Sequence, residues 1–220
     1  EEELSLQGEL IANQIKMRDD EIFSVGGRLL RRTLFQEHPY RFHPLGEQET
    51  IDTFTRTQCV EFAARWLVPS NTVISVFGDV DRAVVERHLQ HTFGALPASE
   101  TPWPDQLSEP PIREVREALH TMEKEQSLIM LGFFGNSYTA PDRHALDVMT
   151  TVLSGMAGRL FQSVREQYGL SYTLGAVHVP GWDPGLLLVY AATRPDEQEK
   201  VRKIIDEQLE LVITEGFTDE

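Results

Sequence analysis

The stretch "GRLFQSVREQYGLSY", Gly158 to Tyr172, decides how this chain is read. Leu160, Phe161, Val164 and Tyr168 recur at helical spacing and mark a buried stripe. Gly169 stops that helix. Leu170, Tyr172, Leu174 and Ala176 then alternate as in a strand, so Tyr172 is expected on the apolar face. Arg165 falls beside the stripe, within a turn of the helix end. Two readings stand open. Arg165 can be a cation favoured by the helix macrodipole and the terminal carbonyls, with Tyr172 a packed phenol that needs a hydrogen-bond partner. Alternatively, the helix-to-strand corner brings both side chains to one point. Spacing alone does not choose between them.

After the corner, two strands are expected, Leu170 to Val179 and Gly185 to Thr193, and Pro195 opens a last helix through Val212. Before it, "ALHTMEKEQ" and "SLIMLGFFG" read as strands, the second so continuously apolar that it must be buried. Pro141 and Asp142 suit the first turn of a helix carrying Ala145, Val148, Met149 and Val152 inward. The first half is helical from Leu4 to Leu34, interrupted at "MRDDE", and "EHPYRFHPLG" follows as an irregular loop. A helix from Thr57 to Leu67 puts Phe62 and Trp66 on one face. A buried strand, Thr72 to Phe77, precedes a helix capped by Asp81 that runs through His91 or Phe93. Five prolines between Leu96 and Ile112 exclude regular helix or a central strand, so residues 97–112 read as a linker separating 1–96 from 113–220. Strands and helices come in blocks, which points to an α+β protein with mostly antiparallel sheets flanked by helices.

The chain has 220 residues, enough for one large domain or two smaller ones. Its formal net charge of -15 argues against nucleic acid, since holding phosphates requires a basic face. No apolar run is long enough to cross a bilayer. The single cysteine, Cys59, excludes an internal disulfide and reads as a small apolar residue on its helix. The chain opens without an initiator methionine or a signal sequence, and closes where Thr218, Asp219 and Glu220 look like a helix start. Both ends are read as cuts from something longer.

"GRLFQSVREQYGLSY" resembles the C-terminal signature of the insulinase/pitrilysin family of zinc metallopeptidases, the inverzincins. "HPYRFHPLG", the helix after it, "VPSNTVISVFGDVD", the linker, the strand pair, Pro141 and "TRPDE" follow in the family's order, so the resemblance covers nearly the whole chain. It implies that Arg165 and Tyr172 reach a zinc site on another domain. There they would bind the substrate carbonyl beside the scissile bond and stabilise the oxyanion formed when zinc-bound water attacks. A guanidinium with several donors and a phenol with one directed donor suit that task.

The family holds zinc on H-x-x-E-H, two histidines on one helical face with a glutamate as general base. None of the seven histidines makes that pattern. His88 and His91 stand three apart without the glutamate and read as a solvated helix face, and His38 and His43 in the proline loop read as paired with backbone. By resemblance, the family's third ligand falls on "GELIANQIKMRDD", at Gln14 or, in the other register, Asn13. Both are neutral amides, without the charge that makes a carboxylate a zinc ligand. Glu9 is no substitute for Gln14, because five helical residues rotate it about 140° away. The acid one helical repeat earlier falls at Gln7, also neutral.

The resemblance therefore implies the end of one catalytically degenerate insulinase-like domain (1–96) and the start of the next (113–220), with no metal ligands of its own. Zinc is expected on a partner domain or subunit, and an unfolded peptide as substrate. A periplasmic or secreted location is favoured over a cytoplasmic one. The competing expectation is a non-catalytic scaffold or peptide-binding subunit of the same fold.

Overall fold

The computed structural model describes residues 2–96, 108–182 and 184–217. In chain order come α1 (Glu2–Asp20), α2 (Ile22–Leu34), α3 (Gln48–Ile51), α4 (Arg56–Trp66), α5 (Arg82–Thr92), β1 (Ser127–Gly135), α6 (Arg143–Ser154), β2 (Ser171–Val179), β3 (Gly185–Thr193) and α7 (Gln198–Glu215). A π-helical turn, Phe161–Glu166, stands between α6 and β2. The chain forms two compact units, residues 1–13 with 46–106, and residues 14–45 with 107–220. Residues 14–45 cluster with the second half of the chain. Linker positions 97–107 and the expected helix start at 218–220 lie outside the described residues.

In the first unit, local signals act as written in the sequence. Thr55 and Gln58 form a capping box at the start of α4, and the Phe62 and Trp66 rings meet at 6.3 Å. The Asp81 carboxylate accepts from the Val84 N–H at 3.0 Å and opens α5. Residues 72–77 form no ladder, and Val73 and Phe77 are 92% and 91% exposed. The expected buried strand is thus absent among the described residues. A strand exists only when another strand pairs with it, and β-propensity does not supply that neighbour.

The second unit is a three-stranded antiparallel sheet in the order β1-β3-β2, covered on both faces. The period of two along each strand sorts its side chains. On one face Leu186 and Leu188 of β3 pack with Phe134, Leu30, Leu34 and Phe35. A Cβ on Gly132 would come within 2.8 Å of Leu30, so α2 rests directly on β1. On the opposite face Val189, Ala191 and Ala176 pack against Leu153, Leu160, Val164, Val201, Ile204 and Ile205. Helices on both sides explain why "SLIMLGFFG" is apolar without a break.

Away from the 158–172 corner, two expectations in this unit fail. Residues 118–126 form no strand, again for want of a paired neighbour. Helix α6 buries Thr150 and Leu153, while Ala145, Val148 and Val152 are exposed. Polar anchors set its rotation. Ser154 Oγ bonds the Ala176 backbone, accepting from its N–H at 2.5 Å and lying 2.9 Å from its carbonyl. Asp147 holds the buried His178 ring at 2.8 Å. A stripe of apolar residues carries no information about such bonds.

Glu109, inside the expected linker, is buried and docks the chain onto the end of α2. Its carboxylate accepts from the backbone N–H groups of Gln36, Glu37 and His38 at 2.6, 2.9 and 2.7 Å. Burial pushes this carboxyl upward, but the three donors and nearby Arg116 outweigh it and hold it below the usual range. A depressed folded-state pKa contributes stability above the unfolded value, about 4.3, and that stability is lost as pH falls through the folded value. Glu109→Gln is expected to destabilise the protein by about 2 kcal/mol at pH 7. In urea titrations the gap to wild type should shrink steadily below pH ~4. An equal gap at pH 7 and pH 3 would show that charge is not what holds this loop.

Candidate functional site

The π-helical turn and the strand after it build the site. At 161–166 the helix widens, and the Gln167 N–H reaches the Gln162 carbonyl at 2.9 Å, one residue further back than in an α-helix. Leu160 and Val164 stay buried, as their spacing requires, whereas Phe161 is half-buried and Tyr168 is 46% exposed. The wider turn rotates Tyr168 off the stripe, so its expected burial does not occur. Gly169, at φ +63°, ends the helix in the left-handed conformation that glycine adopts without strain. A nested pair of bonds closes the end, Gly169 N–H to the Arg165 carbonyl at 2.8 Å and Leu170 N–H to the Val164 carbonyl at 3.0 Å.

Strand β2 then begins with a bulge. Ser171 pairs with Thr193 and Thr173 with Ala192, which leaves Tyr172 as the extra residue. A bulge redirects the side chain at its position. Tyr172 is accordingly 83% exposed, not on the apolar face that simple alternation predicts. Two buried hydroxyls fix the irregularity. Ser171 Oγ lies 2.7 Å from the Ala192 carbonyl and 3.0 Å from that of Thr173, and Thr193 Oγ1 donates to the Leu170 carbonyl at 2.7 Å.

The corner does bring Arg165 and Tyr172 together. The guanidinium carbon lies 5.2 Å from the centre of the Tyr172 ring and 4.7 Å from that of Phe161. Among the described residues the guanidinium has no hydrogen-bond or ion-pair partner, so its N–H donors are unused. The site thus presents a permanent cation and an exposed phenol side by side. A shallow cavity of about 530 Å³ beside the same turn is lined by Arg159, Gln162, Ser163, Glu166, Gln167 and Gln208. Neither Arg165 nor Tyr172 lines it.

The other candidates stand on other elements. Asn13 and Gln14 lie exposed on α1, and His88 and His91 lie exposed on α5. His38 and His43 each use Nδ1 to accept a backbone N–H, from Tyr40 at 3.2 Å and from Leu45 at 3.1 Å. No group of three or more His, Cys, Asp or Glu side chains among the described residues is arranged to hold a metal. Neutral amides at 13 and 14 lack the charge that makes a carboxylate a zinc ligand.

Sequence spacing missed the bulge and the Phe161 stack. The signal for the stack was present, because an aromatic four residues before an arginine puts ring and cation on one helical face. It was absorbed into the apolar stripe.

An antiparallel sheet with helices on both faces makes this an α+β domain. Residues 53–220 match the model of the peptidase M16 inactive domain, and the chain belongs to that family, the insulinase/pitrilysin peptidases that its motif resembles. The chain is 30% identical over 226 residues to a protein of Mycobacterium leprae named an uncharacterized zinc protease, covering 99% of this chain and 50% of that protein. Among solved structures it is similar to a protease from Helicobacter pylori, with a TM-score of 0.87 and 21% identity, over 100% of this chain and 54% of that one. It is also similar to the peptidase M16 inactive domain from Pseudomonas fluorescens, with a TM-score of 0.80 and 21% identity, over 99% of this chain and 53% of that one. The chain spans about half the length of the curated relatives it matches. Among the described residues no helix is long and apolar enough to cross a membrane.

Proposed function

We propose that this chain supplies the carbonyl-binding pair of a zinc metalloendopeptidase that cuts unfolded peptides, with the metal held by a partner domain or subunit. One observation carries the reading: an arginine with unused donors over the ring of an exposed tyrosine, at a helix-to-strand corner. When a nucleophile adds to a peptide carbonyl, negative charge develops on the oxygen. Donors already aimed at that oxygen stabilise the charge without reorganising. The Arg165 guanidinium donates N–H bonds and permanent positive charge, and the Tyr172 hydroxyl donates a single directed bond. Zinc, which in this reading the partner provides, supplies the Lewis acid, and this chain's own residues take no part in holding it.

In the same reading the chain comprises the end of one insulinase-like domain and the start of the next. The reading is supported by the family match and by relatives named zinc proteases. Removing the guanidinium in the complete assembly tests it, by whether peptide turnover collapses while zinc content stays the same. Unaltered turnover would favour the scaffold alternative.

A further inference from the structure

We infer that Phe161 is a positioning residue for the carbonyl-binding arginine, an aromatic rest that orients the Arg165 guanidinium and leaves all its donors available. The inference rests on the reading of Arg165 just given. The guanidinium lies over two rings, 4.7 Å from the centre of Phe161 and 5.2 Å from that of Tyr172. Among the described residues no carboxylate or carbonyl holds it. That choice of support has a chemical consequence. A carboxylate would orient the arginine through its N–H groups, occupying the donors and cancelling the charge that an oxyanion needs. An aromatic face attracts the cation through its quadrupole and leaves the N–H edge pointing outward.

The two rings have different duties. Tyr172 is 83% exposed and carries a hydroxyl of its own, so it serves as partner and donor. Phe161 is half-buried, has no polar side-chain atom and stands four residues before Arg165, one turn away on the same helix. Its ring therefore offers the guanidinium an apolar face and adds no group that competes for the oxyanion. With only Tyr172 to lean on, the arginine has the rotamer freedom of a long exposed side chain, and the donors spend less time aimed at the reacting oxygen.

The test uses the complete assembly and a peptide substrate. Phe161→Leu keeps apolar volume and removes the ring face, whereas Phe161→Tyr and Phe161→Trp keep a face. The expected result is a fall in kcat on the order of tenfold for Phe161→Leu, with KM changed by less than about twofold. The aromatic variants should recover turnover to within about threefold of wild type. In an Arg165→Ala background, Phe161→Leu should cause no further loss, because the ring acts through the arginine. Thermal melting of every variant separates this from a packing defect, which would track stability and ignore aromaticity. Equal turnover for the Leu and Trp variants overturns the inference, as does a further loss in the Arg165→Ala background. Unchanged turnover in Arg165→Ala itself overturns the parent reading instead, so the two failures are distinguishable.

Discussion

Arg165→Ala in the complete assembly is expected to lower peptide turnover about 10²–10³-fold, the loss that follows removal of one donor to a developing oxyanion. Zinc content should be unchanged, because nothing at this corner is suited to hold metal. The magnitude follows from position. The guanidinium has no competing partner among the described residues, so its charge is not already neutralised. A surface arginine of purely structural value would give a different result, a stability change within about 0.5 kcal/mol and no kinetic effect. Arg165→Lys separates charge from shape. It keeps a cation but loses the planar fork of donors, and is expected to recover only part of the rate. The measurement is steady-state kcat/KM with metal analysis on the same samples.

Tyr172→Phe is the second large effect. The ring stays, so the 5.2 Å stack on Arg165 and the exposed position at the bulge are preserved. What disappears is a single O–H donor. A kcat loss on the order of 10²-fold with little change in KM is expected, since the lost bond matters most when the oxygen carries charge. Tyr172→Ala should fall further, because it also removes one of the rings that orient the arginine. If the phenylalanine variant turns over peptide like wild type, the hydroxyl has no part in the chemistry, and the tyrosine is only a ring for Arg165.

The sequence made some of these features legible and hid others for identifiable reasons. Strands 127–135 and 185–193 were readable to the residue, because both faces of the sheet are covered and the apolar runs end at turn residues. The cap at Asp81 is equally plain, since a cap is a local hydrogen bond. Segments 72–77 and 118–126 misled, because their strand-like composition could not reveal whether a neighbour pairs with them. Helix α6 is legible and Met149 packs on the core as its spacing requires, but Ala145, Val148 and Val152 face outward, where the bonds of Ser154 and Asp147 across to β2 leave them. The juxtaposition of Arg165 and Tyr172 came from resemblance, and the strand alternation used beside it was misleading. One inserted residue at the bulge reverses which face Tyr172 occupies, and only the pairing to β3 shows it. Glu109 was hidden for the same kind of reason, as its partners lie more than seventy positions away.

The most direct measurement is a structure of the complete assembly with a peptide or a tetrahedral-intermediate mimic bound. The account predicts one substrate carbonyl oxygen about 2.7–3.1 Å from both a guanidinium nitrogen of Arg165 and the hydroxyl of Tyr172. A bound peptide whose scissile carbonyl lies beyond the reach of both groups, with the pair still stacked as it is here, would contradict it.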